Sequence, residues 1–74
     1  MLVKLEAYHD GTFWCARGIG VSVFTQGETF EALLINAREA VSVHFEEKLE
    51  DGGTIQVLIL TETEVTGVFQ APGS

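Results

Sequence analysis

The carboxylates are the first place to look for chemistry. Glu6, Glu62 and Glu64 fall on or beside predicted strands, and acids converging from neighbouring strands can hold the two Mg²⁺ ions of a phosphodiesterase. That chemistry needs a core aspartate constellation as well, and none is present in the sequence. His9 and His44, the only histidines, are far from the i, i+4 spacing that places two imidazoles on one metal. They would need Asp10 or Glu47 to complete a site, and nothing in the spacing requires it. The single Cys15 excludes an internal disulfide and a four-thiolate metal site. It has no neighbouring histidine or helix N-terminus to make it a thiolate. Gly18-Ile19-Gly20 lacks the third glycine and the following helix of a dinucleotide loop. The residues predict a protein that is not an enzyme and has no metal and no cofactor.

Binding is the other chemistry available. Trp14, Phe24, Leu58 and Leu60 are large apolar residues on predicted strands, and aromatics of this kind favour interface centres. The chain of 74 residues carries eleven acids against four bases, a formal charge of -7. Lys4, Arg17, Arg38 and Lys48 are scattered, so no basic patch is available to displace counterions from phosphates. Direct nucleic-acid binding is not expected. An acidic surface instead suits a basic protein partner, or simply solubility. The start of the chain does not read as a signal peptide. The longest apolar run, Val57 to Leu60, is far short of a membrane span. Together these predict a cytoplasmic protein without membrane contact.

The elements that position these residues follow from periodicity. Val3, Leu5 and Ala7 alternate with polar neighbours, predicting a strand over 2–8. Asp10-Gly11 is a hairpin signal, and 12–17 reads as the returning strand. Phe13 and Cys15 share one face of it, Trp14 and Ala16 the other. After the Gly18-Ile19-Gly20 turn, 21–25 is a third strand. Thr29 is an N-cap for a helix of about twenty residues with apolar positions at Phe30, Leu33, Leu34, Ala37, Val41 and Phe45. His44 sits at the edge of that stripe. Ile35 and Val43 interrupt its polar side. Gly52-Gly53 stops the helix. Residues 54–61 form the most apolar strand, with the unalternating second half of one covered on both faces. Residues 65–69 extend it or form a small strand of their own.

Three strands joined by tight turns make an antiparallel meander, and the helix returns the chain so that the fourth strand lies parallel to the first. The prediction is an α+β fold, β-β-β-α-β, with a four-stranded mixed sheet in the order 3-2-1-4 and one helix on one face. A single domain covers 1–69, and 70–74 is a tail. The chain is short enough that its core is thin. One helix leaves a sheet face uncovered, and the face parity adopted here places Phe13 toward the helix and Trp14, Phe24, Leu58 and Leu60 on the open side. A second subunit covers that face in the simplest arrangement, giving a homodimer. The competing arrangement packs Trp14 against Val68 and Phe69 of the same chain.

The runs Asp10-Gly11-Thr12-Phe13-Trp14, Phe24-Thr25-Gln26-Gly27-Glu28-Thr29-Phe30-Glu31 and Asn36-Ala37-Arg38-Glu39-Ala40 resemble the HicB-like antitoxin family. The likeness spans residues 1 to about 50. It implies a partial RNase H-like fold with the same element order. It also implies a partner: a small basic, mRNA-cleaving toxin resembling a double-stranded-RNA-binding domain. Two features depart from the family. The segment Gly18-Ile19-Gly20-Val21-Ser22 lacks the family's Pro-Asp-Leu-Pro-Gly pattern, and no DNA-binding module follows the fourth strand. A stand-alone dimeric domain with a structural or regulatory role and no toxin is the alternative expectation.

Overall fold

The computed structural model describes residues 1–67. The chain runs β1 (Leu2–His9), β2 (Trp14–Gly18), β3 (Phe24–Gly27), α1 (Phe30–His44), α2 (Glu46–Glu50) and β4 (Gln56–Thr61). The sheet is ordered β3-β2-β1-β4. β1 pairs antiparallel with β2 and parallel with β4, and β2 pairs antiparallel with β3. This is the predicted α+β fold with one main helix. Of the C-terminal segments read from the sequence, 65–67 has no regular structure. Val68, Phe69 and the tail 70–74 lie outside the described residues.

The alternation of β1 creates the core. Val3, Leu5 and Ala7 are buried against Leu33, Ala37 and Val41 of α1, with Ala16 and Val23 completing the cluster. Leu5 and Leu33 are fully covered, and each such burial stabilises the fold by about 2 kcal/mol. Small residues at Ala7, Ala16 and Ala37 let the helix settle close to the sheet. Gly27 brings the chain closer still: a Cβ there would lie 2.6 Å from the Leu33 nitrogen. β3 therefore meets the first turn of α1 backbone to backbone, and only glycine fits.

Both turns of the meander differ in detail from expectation. The β1–β2 connection is a four-residue loop, Asp10 to Phe13, rather than a two-residue Asp-Gly turn. Asp10 N–H donates to the Phe13 carbonyl at 3.0 Å. The Asp10 carboxylate in turn accepts from Thr12 N–H at 2.8 Å and Phe13 N–H at 2.7 Å. An aspartate side chain that satisfies two loop donors favours this wider turn. After β2, a Cβ on Gly18 would collide with the Val21 carbonyl oxygen. β3 begins at Phe24 and runs through Gly27, later than the predicted 21–25.

Thr29 caps α1, its hydroxyl accepting from Ala32 N–H at 3.0 Å. The predicted twenty-residue helix is two helices. Phe45 (φ -113°, ψ 33°) breaks the run, its N–H donating back to the Val41 carbonyl. Val41, Val43, His44 and Phe45 are weak helix formers, and Phe45 packs toward the core. The break also places Glu46 and Glu47 in the first turn of α2, where the helix dipole favours them.

β4 is the clearest correction to the strand readings. It alternates, with Val57 and Ile59 packed on the core and Leu58 and Leu60 exposed. One of its faces is covered, not two.

Candidate interaction surface

Of the four residues predicted for the open sheet face, three lie there. β1 puts Val3, Leu5 and Ala7 toward α1, so Leu2, Lys4, Glu6 and Tyr8 point the other way. Residues paired across strands share a side. Lys4 stands beside Leu58, Glu6 beside both Arg17 and Leu60, and Arg17 beside Phe24. Phe24, Leu58 and Leu60 are 59%, 42% and 45% exposed on this face, and Leu2 is exposed with them.

Trp14 does not belong to it. It pairs with His9 and packs on Phe30 of α1, ring centroids 5.0 Å apart, with the His9 ring edge-on at 5.4 Å. The grouping of Trp14 with Ala16 holds, but that pair faces the helix, and Phe13, expected on the helix side, lies in the β1–β2 loop outside both strands. The signal was in the sequence. Leu5 and Ala7 mark the core side of β1, and a hairpin loop of either two or four residues sets Trp14 and Ala16 on that side.

One register row crosses all four strands on the open face: Phe24, Arg17, Glu6, Leu60. Arg17 Nη2 lies 3.2 Å from Glu6 Oε1, and the Arg17 guanidinium stands 5.6 Å from the centroid of the Tyr8 ring. The central ion pair is solvent-accessible, with side chains 60% and 45% exposed. It is flanked by an apolar residue on each outer strand.

Charge is sorted between the surfaces. Lys4, Arg17 and Glu6 are the charged residues on the open face. Seven of the eleven acids lie between Glu28 and Asp51, against only Arg38 and Lys48. All seven are exposed. Along the outer side of α1, Glu31, Ile35, Glu39 and Val43 recur at four-residue spacing and form one ridge. Ile35 is 64% and Val43 72% exposed. A shallow groove of about 520 Å³ runs between this helix and β3, lined by Val23, Phe24, Ala40, Val43 and His44. Asn36 Nδ2 donates to the Gln26 carbonyl of β3 at 2.8 Å beside it.

Glu6 is engaged by Arg17. It shares a concavity of about 600 Å³ at the end of β1 and β4 with His9, Glu62 and Glu64. Among the described residues, no three His, Cys, Asp or Glu side chains are grouped to hold a metal ion. His9 accepts from Gly11 N–H through Nδ1 at 3.1 Å, and His44 lies edge-on to Phe45 with centroids 4.7 Å apart. Cys15 is buried, its Sγ–H donating to Asp10 Oδ2 at 3.6 Å. Burial pushes the thiol pKa up, and the Asp10 carboxylate adds to the rise. The backbone hydrogen bonds from Phe13 and then Thr12 hold the Asp10 carboxyl below the usual aspartate range. No helix among the described residues is long and apolar enough to cross a membrane.

No protein-family model matches this chain, and neither a curated protein nor a solved structure does.

Proposed function

We propose that this chain is a non-enzymatic protein-binding module, similar in role to a HicB-family antitoxin, that occupies a small basic mRNA-cleaving protein through the outer side of α1. The observation that carries the reading is the ridge Glu31, Ile35, Glu39, Val43. Exposed apolar residues alternate there with acids, in a stretch that carries seven acids against Arg38 and Lys48. The apolar groups supply area removed from water, and the carboxylates steer a basic partner and fix its register. The likeness of Asn36-Ala37-Arg38-Glu39-Ala40 to the family's helix signature falls on the same helix. The reading further places the protein in the cytoplasm, where such a partner would act.

The test is recovery of the tagged chain from its native host, identification of small basic proteins retained with it, and reconstitution of the pair. The expected result is a complex that silences RNA cleavage by the partner and weakens with salt. Glu39→Lys and Val43→Glu should each weaken binding at least tenfold. A chain that returns only copies of itself would favour the stand-alone dimeric domain instead. A partner whose binding ignores both substitutions would overturn the assignment to α1.

A further inference from the structure

We propose that the open sheet face is the interface of a two-fold homodimer, in which the Arg17–Glu6 pair of one copy lies over the Glu6–Arg17 pair of the other. This surface lies on the opposite side of the sheet from α1 and meets the α1 ridge only at the groove that Phe24 and Val43 both line; the inference does not require the partner proposed above.

The register row decides the occupant. Read across the sheet it is apolar, cationic, anionic, apolar: Phe24, Arg17, Glu6, Leu60. β1 and β2 are the two central strands, so the midpoint of the row is the midpoint of the sheet. A two-fold axis parallel to the strands and passing between β1 and β2 reverses the row in the second copy. Phe24 then faces the partner's Leu60, and Arg17 faces the partner's Glu6. The same two contacts repeat on the other side of the axis, as an isologous interface requires. A two-fold axis running along the row would instead stack Arg17 on the partner's Arg17 and Glu6 on the partner's Glu6. The charge pattern therefore selects the axis.

Aligned sheets pack with strand directions within ~30°, so correspondence is closest near the axis, where the charges are. The four charges alternate in a closed quartet. Burying them carries a desolvation cost that only paired geometry offsets, which makes the contact specific rather than merely adhesive.

Size and charge favour a second copy. Four strands at ~4.8 Å spacing and six residues at ~3.3 Å give a face of roughly 19 by 20 Å. That footprint is about 400 Å² in projection, so side-chain relief and the rims of the sheet would have to supply the rest of the ~800 Å² per partner of a standard interface. The apolar contribution comes from Leu2, Phe24, Leu58 and Leu60, all more than two-fifths exposed. Within its strands the face carries one acid against two bases, so most of the acidic residues lie off the contact, with Glu62 and Glu64 flanking it at the end of β1 and β4.

Sedimentation equilibrium and paired charge variants test this. Wild type should sediment at twice its 8.1 kDa mass at tens of micromolar protein. Glu6→Arg makes the row doubly cationic and Arg17→Glu makes it doubly anionic, so each alone should be monomeric. Circular dichroism establishes that both variants remain folded. Mixed in equal amounts they should form a heterodimer, because each like-charged pair then faces its opposite. In a second measurement, Phe24→Cys mixed with Leu60→Cys should cross-link on oxidation, and Phe24→Cys alone should not. A monomeric wild type would overturn the proposal. So would single charge variants that dimerise as wild type does, folded variants that fail to pair on mixing, or cross-linking confined to like variants. An edge-to-edge dimer through β4 would give the second of these outcomes.

Discussion

Trp14 and Phe30 meet with ring centroids 5.0 Å apart and ring planes inclined by 54°, joining the start of β2 to the first turn of α1. The indole thus packs at the rim of the core while the opposite face of β2 carries Arg17. Trp14→Ala should destabilise the fold by about 2–3 kcal/mol, less than for a fully buried tryptophan because Trp14 is only partly buried. Chemical denaturation at fixed protein concentration measures it. Trp14→Phe should retain most of the stability. An alanine variant as stable as wild type would show that the contact contributes little.

Gly27→Ala should be destabilising by about 2 kcal/mol or more, because the added methyl meets the Leu33 backbone at 2.6 Å and that backbone cannot move without unseating α1. The expected signature is a lower denaturation midpoint with an unchanged slope. A neutral Gly27→Ala would mean that α1 can shift away from β3 freely.

Thr29→Ala removes the hydroxyl that accepts from Ala32 N–H. A loss of about 1 kcal/mol is expected, as for other N-caps. Thr29→Ser should recover it, which separates loss of the cap from loss of the methyl.

Asp10 sets a pH dependence. Its folded pKa is lowered, chiefly by the Phe13 and Thr12 backbone donors. The stabilisation is therefore fully present above the ordinary aspartate value of about 3.9 and is lost as pH falls through the lowered folded value. Asp10→Asn should flatten that acid limb of the stability curve while leaving the neutral-pH fold intact by circular dichroism. An unchanged acid limb would locate the dependence elsewhere.

Cys15 should react slowly with iodoacetamide in the native state. It is buried, and its thiol pKa is raised first by that burial and then by Asp10. Asp10→Asn should speed alkylation at neutral pH, since it removes a negative charge that opposes the thiolate. Rates for wild type and variant measured below the unfolding transition decide this. Equal rates would leave burial as the sole protection.

Local pattern carried most of the architecture. The period-two apolar residues of β1, the Thr29 cap, the amphipathic stripe through Leu33, Ala37 and Val41 and the short connections of the meander are near-neighbour signals. They leave little choice beyond the order 3-2-1-4. Pairing between distant segments decided what pattern could not. The helix breaks at Phe45 (φ -113°, ψ 33°) after a run of weak helix formers, and the apolar spacing that put Phe45 on the core stripe does not express that break. Leu58 and Leu60 read like a buried strand until the edge position of β4 and the single helix layer left one side open. Trp14 is a case the local pattern did settle: Leu5 and Ala7 mark the core side of β1, and the hairpin pairing of Ala7 with Ala16 puts Trp14 there, because residues opposed across a ladder share a face. The row Phe24, Arg17, Glu6, Leu60 joins residues from four segments of the chain. Their identities were always in the sequence, but only the hydrogen-bonded registers of the sheet set them side by side.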